Sequence, residues 1–440
     1  MKEIRKKDPV LERLLPPQTP QTGVLYLPSQ FALPFESAGE SFCYHTLTGQ
    51  CLQGALPQSA RAGCGFDEWI KALFLVPEGR DECAFYLSVS SLARTFCRKK
   101  GSDTFILMPT LGCNAHCGYC YENGMERTSM SDETARQVVR CISKACDGKH
   151  VKLRWIGGEP LLCPQVLDRI CEGLRENGVM FRSSMVSNGS LLTPQILAQM
   201  TGLWNLQHIQ ISMDGAEQDY ISRKRYLPDR EEYHKVIDAV ACLSDAGIPV
   251  TIRCNVDEEN LDRAPRLLRD LERGVRAREH VGFYFALLND ARAGDRDLLL
   301  WKKILEFRPL IRAAGFRDEA YPGLDGRFRV NHCMADGNGT VIGPDGSLYA
   351  CEQCPPGSRY GDVWNGVTDE NARREFCEVN TVRPSCRKCP FLPSCTSFSH
   401  CPDRDAHCRQ VRELWALDAL RRLTQSGPGA VSPGEAFPVT

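Results

Sequence analysis

From Phe105 to Gly315 the chain alternates apolar, strand-like runs with segments of helical period, and nothing else in it constrains the fold as strongly. FILMPT, VKLRWIGGEP, VMFRSSMVSNG, LQHIQISMDG, IPVTIRCNVD and HVGFYFALLN each read as a strand. Each is followed by a helical stretch. SDETARQVVRCISKAC opens on Ser131 or Asp132 as a cap, and REEYHKVIDAVACLSDAG is closed by a glycine. About six β/α units in a row predict an α/β fold, a parallel sheet with helices outside, curled into a full or partial barrel. In such folds the working groups sit on loops at the C-terminal ends of strands. Four such ends stand out: the loop after FILMPT, GGEP at 157–160, SNG at 187–189 and SMDG at 212–215.

The first of these is Cys113-Asn114-Ala115-His116-Cys117-Gly118-Tyr119-Cys120, with cysteines at C-x3-C-x2-C. Three thiolates on one short loop can hold three corners of a cubane iron–sulfur cluster and leave its fourth iron open to a small molecule. The competing reading is a zinc knot. Structural zinc wants four protein ligands. No fourth His or Cys follows at suitable spacing, and His116, one residue from Cys117, is awkward for shared coordination.

Composition narrows the setting. The chain has 440 residues, room for about two to three domains. A formal net charge of −1 gives no field for nucleic acid or a membrane surface. No apolar run approaches the roughly 18 residues of a membrane span. MKEIRKKDPV is basic but lacks the apolar core of a signal peptide, so a cytoplasmic protein is expected. In that reducing compartment the 23 cysteines are not expected to form disulfides. Eleven are scattered and read as small buried hydrophobes; twelve fall at 113–120 and 333–408.

Outside the alternating region, residues 1–22 read as a charged, Pro-rich and flexible lead-in and 23–100 as a small α+β unit. There VLYLPS and ESFCYHTLTGQCLQG read as strands with a turn at Thr48-Gly49, FDEWIKALFLV as a helix, and AFYLSVSSLARTFCRKK as a strand then a helix. From about 316 the chain is rich in Gly, Pro and Cys, with a hairpin turning at Asp345-Gly346. HCRQVRELWALDALRRLTQ reads as a final helix and SGPGAVSPGEAFPVT as disordered. The expected division is an N-terminal α+β domain (1–100), a barrel (101–315), a Cys-rich domain (316–415) and a helix end with tail (416–440).

Taken together, the cysteine loop, GGEP, SNG and SMDG resemble the radical S-adenosylmethionine (SAM) superfamily. The second cysteine group resembles its branch with a C-terminal SPASM domain, which carries auxiliary clusters and mostly modifies peptides and proteins. The resemblance runs from about residue 104 to 410. It implies a partial (β/α)6 barrel, a [4Fe-4S] cluster on Cys113, Cys117 and Cys120, and SAM bound at the open iron. One added electron would then release a 5′-deoxyadenosyl radical, chemistry carried by the cofactor while the protein positions it. Tyr119 is expected near the adenine. Gly157 and Gly158 would let backbone approach the methionine end, with Glu159 near its ammonium. Ser187 and Asn188 would reach the ribose, and Ser212 and Asp214 would end the fourth strand on the same rim. Arg223 and Arg253 are the cations available for the SAM carboxylate, Arg225 competing with Arg223. Read blandly, GGEP is a strand–helix turn with Pro160 at the first helical position, and SNG a common Asn-Gly turn.

In the SPASM-like region a lone Cys333 precedes Gly346 to Cys351, then Cys386-x2-Cys389-x5-Cys395, Cys401 and Cys408. The resemblance assigns Cys386, Cys389, Cys395 and Cys408 to one auxiliary cluster. It assigns Cys333, Cys351 and Cys401 to another, whose fourth corner is open or filled by Cys354. The chain departs from the pattern in placing five residues, TSFSH, before Cys401 where three are usual. That leaves the ligand set around Cys401 open, and a zinc ribbon is the alternative for the block. An open auxiliary corner would bind a substrate thiolate and yield a thioether crosslink in a ribosomally made peptide. The alternative product is formylglycine in a sulfatase, with Glu352 as base where sulfatase-maturing relatives carry an acid. Glu352 as a solvated turn residue is the plainer reading. The expected partners are a precursor peptide or protein, docked by residues 1–100, and a small flavodoxin- or ferredoxin-type electron donor. The rival class is a zinc-stabilised interaction protein.

Overall fold

The computed structural model describes residues 2–97, 103–146, 150–227, 232–288, 295–319, 339–353, 358–377, 382–395 and 408–425. These fall into two compact units that do not follow chain order. One contains the N-terminal segment to Arg98 and the C-terminal segment from Val379; the other contains Lys99–Ala320 and Met334–Glu378. Cys333, Cys354 and Cys401 lie outside the described residues, as does the tail.

The second unit is built on the alternating region. The six expected strands are Thr104–Leu107, Val151–Trp155, Phe181–Ser187, Leu206–Met213, Val250–Val256 and Val281–Leu287. They pair side by side, in chain order and all parallel. Short strands add to both ends in parallel, Arg317–Asp318 beside the sixth and Gly339–Ile342 beside the first. The expected hairpin at Asp345-Gly346 then runs on antiparallel through Ser347–Tyr349, so it extends the barrel sheet. Strand faces explain the apolar runs. Ile209, Ile211 and Met213 on the fourth strand, and Val250, Ile252 and Cys254 on the fifth, are buried. Residues alternating with them include polar groups, Gln210 and Ser212 in register with Thr251 and Arg253. Ser131 caps the first helix, Asp132–Cys146, by accepting the Thr134 N–H at 3.1 Å.

The first unit holds a four-stranded antiparallel sheet in the order Lys2–Arg5, Cys51–Gln53, Glu40–His45, Ala32–Ser37. The expected turn is there, with Gly49 at φ +70°. Three expectations fail. The lead-in is structured, with Lys2–Arg5 a strand of this sheet and Pro9–Leu14 a helix capped by Asp8. FDEWIKALFLV is helical only over Asp67–Lys71, and Leu75–Pro77 is a strand paired with Leu25–Pro28. AFYLSV is no strand, because Glu82–Cys97 is helical throughout. Asp81 accepts the Ala84 N–H at 3.0 Å at the helix start, and Cys83, Tyr86, Val89 and Ala93 are buried at helical spacing. The C-terminal helix Cys408–Gln425 belongs to this unit. Its Leu420 packs among Phe35, Phe42, Tyr44 and Cys51, and Leu392 packs among Leu11, Phe31, Leu47 and Tyr86. No described helix is long and apolar enough to cross a membrane. Because Leu420 is 1 % exposed, Leu420→Ala should cost about 2–5 kcal/mol, read as a lower midpoint in denaturant unfolding with the chain otherwise intact.

Candidate active site

The cysteine loop leaves the first barrel strand through Met108-Pro109-Thr110. Its two ends are tied: Leu111 donates to the Thr128 carbonyl and Met130 to that of Pro109, both at 2.8 Å. The GGEP turn then closes on the loop's backbone. The Gly158 N–H donates to the Thr110 carbonyl at 3.0 Å, and the Glu159 N–H to the Gly112 carbonyl at 2.9 Å. Both glycines are required by this approach. A Cβ on Gly157, whose φ is +114°, would lie 2.4 Å from the Thr110 oxygen, and one on Gly158 would lie 2.2 Å from that of Gly112. Their freedom is therefore used against the loop that carries Cys113.

Glu159 is fully buried. Its carboxylate accepts the Leu161 N–H at 3.1 Å, the Ser187 hydroxyl at 2.9 Å and the Asn188 N–H at 2.7 Å. Burial pushes its pKa up, against those hydrogen bonds and the charge of Lys224. GGEP and SNG are thus joined through one side chain. Asn188 continues the chain of contacts: its Nδ2 donates to Asn114 Oδ1 at 2.8 Å and lies 4.0 Å from the Cys113 sulfur, while Asn114 Nδ2 donates to Ser190 Oγ at 2.9 Å. Ser187, Asn188 and Glu159, expected around SAM, here spend these polar groups on one another and on the cysteine loop.

SMDG meets the loop from the other side. Tyr119 donates its hydroxyl to Asp214 Oδ2 at 2.5 Å, and Asn255 Nδ2 donates to Asp214 Oδ1 at 2.8 Å. The Lys224 ammonium lies 2.7 Å from Ser212 Oγ, 3.5 Å from the Tyr119 hydroxyl and 3.6 Å from Asp214 Oδ2. Lys224 ends a helix, Glu217–Lys224, that the sequence reading did not foresee. The segment after it runs along the loop: the Lys224 and Arg225 carbonyls accept the His116 N–H, and Leu227 donates to the Asn114 carbonyl at 2.8 Å. Arg223 points elsewhere, into an ion pair with Asp257 at 2.6 Å. Arg253 stays beside the rim, its Nε 3.0 Å from Asn255 Oδ1. Lys224, Asn255 and Asn114 were missed. The available signals were the four-residue spacing of Tyr220 to Lys224 and the two-residue spacing of Arg253 to Asn255 along one strand face.

The donor set fits a cluster. Cys113, Cys117 and Cys120 are unbridged and partly buried on the one loop. Burial raises the thiol of Cys113 to about 11 and that of Cys120 above its usual value, and each is raised further by the neighbouring Cys117. Such thiols ionise when they coordinate. Among the described residues no three Cys, His, Asp or Glu side chains converge on a single-ion site, and the His116 Nε2 contacts the Arg127 guanidinium. Cys351 follows the hairpin in the barrel unit, and Glu352 lies close enough to Glu122 to raise its pKa. With burial as the larger cause and Tyr121 opposing, Glu122 reaches about 7. In the other unit burial raises the Cys389 thiol, with Cys395 and Cys408 adding to it. Burial works to lower the pKa of Arg412, but Cys395, Cys408 and Cys389 outweigh it. Cys386 and Cys389 are tied by a backbone bond of 3.0 Å.

A three-thiol loop framed by strand ends at one rim of a parallel α/β sheet defines a cluster-dependent enzyme of the barrel class. Residues 107–271 match the family described as the Radical SAM superfamily, so that stretch is a radical SAM domain, and the chain is an enzyme. Among curated relatives, a Methanocaldococcus jannaschii protein without assigned function is 24 % identical over 57 % of this chain and 85 % of its own length. The AdoMet-dependent heme synthase of Methanosarcina barkeri is 27 % identical over 35 % of this chain, which spans only 42 % of that relative. PqqA peptide cyclase of Granulibacter bethesdensis is 21 % identical over 63 % of this chain and 76 % of its own. Among solved structures, native anSMEcpe with bound AdoMet aligns with a TM-score of 0.58 at 17 % identity, covering 73 % of this chain and 98 % of its own. SuiB of Streptococcus suis aligns with a TM-score of 0.53 at 13 % identity, covering 89 % and 100 %. Both have also been solved with a peptide, Cp18Cys and the precursor SuiA respectively.

Since backbone atoms of the loop oppose Gly158, Gly158→Ala should displace it. Overpacking of this kind costs about 1–3 kcal/mol, and iron content after anaerobic reconstitution should fall well below that of the parent.

Proposed function

We propose that this enzyme is a radical SAM peptide maturase that forms a thioether or other crosslink in a ribosomally made peptide. The observation carrying it is that GGEP, SNG and SMDG all hydrogen-bond to the one loop bearing Cys113, Cys117 and Cys120. The likenesses to PqqA peptide cyclase and to structures solved with peptides support the substrate class. Cys113, Cys117 and Cys120 would hold a cluster that, when bound, would supply one electron for cleavage of SAM to a hydrogen-abstracting radical.

The chain's own residues do the rest by placement. Glu159, Asn188 and Asn114 fix the loop, Asp214 fixes the Tyr119 ring at its edge, and Arg253 and the backbone of GGEP would face the methionine end. Auxiliary clusters would be held by Cys386, Cys389, Cys395 and Cys408, and by Cys333, Cys351 and Cys401, with Cys354 as a further candidate ligand. The electron donor is proposed as a flavodoxin- or ferredoxin-type protein, and the first 100 residues as the peptide-docking part. A second reading, formylglycine formation in a sulfatase, rests on Glu352, whose charge acts on Glu122, two residues beyond Cys120, and which would take a substrate proton.

With SAM and a low-potential reductant the protein should release 5′-deoxyadenosine, and Cys117→Ala should release none. Mass spectrometry separates the two readings: a crosslinked Cys-rich precursor loses a pair of hydrogens, whereas a sulfatase peptide gains an aldehyde. No 5′-deoxyadenosine from protein reconstituted with iron and sulfide would contradict both.

A further inference from the structure

Lys224 sits where the cysteine loop, SMDG and the helix Glu217–Lys224 meet, and its side chain is 3 % exposed. It touches the loop in two ways. Its carbonyl accepts the His116 N–H at 2.8 Å and lies 3.9 Å from the Cys117 sulfur. Its ammonium is directed to Ser212, Tyr119 and Asp214. A buried ion pair is seldom retained for stability alone, because apolar side chains of like volume often serve as well. The Lys224 ammonium reaches the loop at Tyr119, between Cys117 and Cys120, and that position gives it another use.

We propose that Lys224 is a positioning residue for the three-thiol loop: a fixed positive charge that makes the bound cluster easier to reduce, while Asp214 beside it holds Tyr119. The inference rests on Cys113, Cys117 and Cys120 being the cluster ligands. An electron arriving at a cluster adds negative charge, and a fixed cation in a low-dielectric surrounding stabilises the reduced form more than the oxidised one. Asp214 acts with the opposite sign. The Lys224 ammonium is paired with Asp214 Oδ2 at 3.6 Å and lies 3.5 Å from the Tyr119 hydroxyl on the loop.

The signs provide the test. The midpoint potential is followed by EPR in a redox titration of the full chain, on the signal that is absent from Cys117→Ala. Lys224→Met should move the potential downward, Asp214→Asn upward, and Lys224→Arg should stay near the parent, all at equal iron and sulfide content. A merely structural pair would lower thermal stability in each variant and leave the potential where it was; that result, or shifts of one sign in both Lys224→Met and Asp214→Asn, overturns the proposal. Where Lys224→Met fails to retain a cluster, the sign of the Asp214→Asn shift decides alone. Parent protein carrying zinc without sulfide would instead overturn the ligand assignment beneath it.

Discussion

The rim depends on one buried carboxylate. Glu159 accepts from Ser187, from the Asn188 backbone and from Leu161, while its own N–H reaches the Gly112 carbonyl at the base of the cysteine loop. Three stretches distant in sequence are thereby held at one end of the sheet. An unpaired carboxylate so buried would be strongly disfavoured, and its three donors offset that cost only if the GGEP turn and SNG are both in place, while the backbone N–H of the same residue ties in the cysteine loop. The frame is therefore cooperative: it fixes a loop of three thiols before any cluster binds. Preorganisation of this kind is what an open metal position needs, since the protein must hold the cluster without supplying a fourth ligand.

Much of this was legible in the sequence, for identifiable reasons. Strands of a parallel sheet are covered on both faces and read as long apolar runs, so all six barrel strands were foreseen. Cysteine spacing is equally local, and Cys113, Cys117 and Cys120 needed no tertiary information. What failed was what depends on partners. AFYLSV is a short apolar run that cannot be assigned by periodicity alone, and burial of Cys83, Tyr86 and Val89 at helical spacing decides it. The helix Glu217–Lys224 is polar almost throughout and gives little hydrophobic signal. Within Arg223-Lys224-Arg225 only the fold reveals that the middle residue turns inward, while Arg223 is taken by Asp257. The roles expected of Gly157 and Gly158 gain a structural component for the same reason: the atoms they avoid belong to residues some forty-five positions earlier in the chain.

The cysteines beyond residue 333 are divided by the fold. Cys351 ends a hairpin of the barrel sheet, whereas Cys386, Cys389, Cys395 and Cys408 belong with the N-terminal residues, seated by Leu392 and Leu420. The chain thus returns to its beginning to complete the first unit. Any electron-accepting cluster on those four cysteines would share a compact unit with the segment proposed to dock peptide.

The central claim is that the framed loop carries a cluster with one iron left open to SAM. Mössbauer spectroscopy of protein reconstituted with 57Fe tests it most directly, in the variant lacking Cys386, Cys389, Cys395 and Cys408, with and without SAM. The account predicts that one iron site of the loop's cluster changes its isomer shift when SAM is added. Four equivalent irons indifferent to SAM, or zinc in their place, would contradict it.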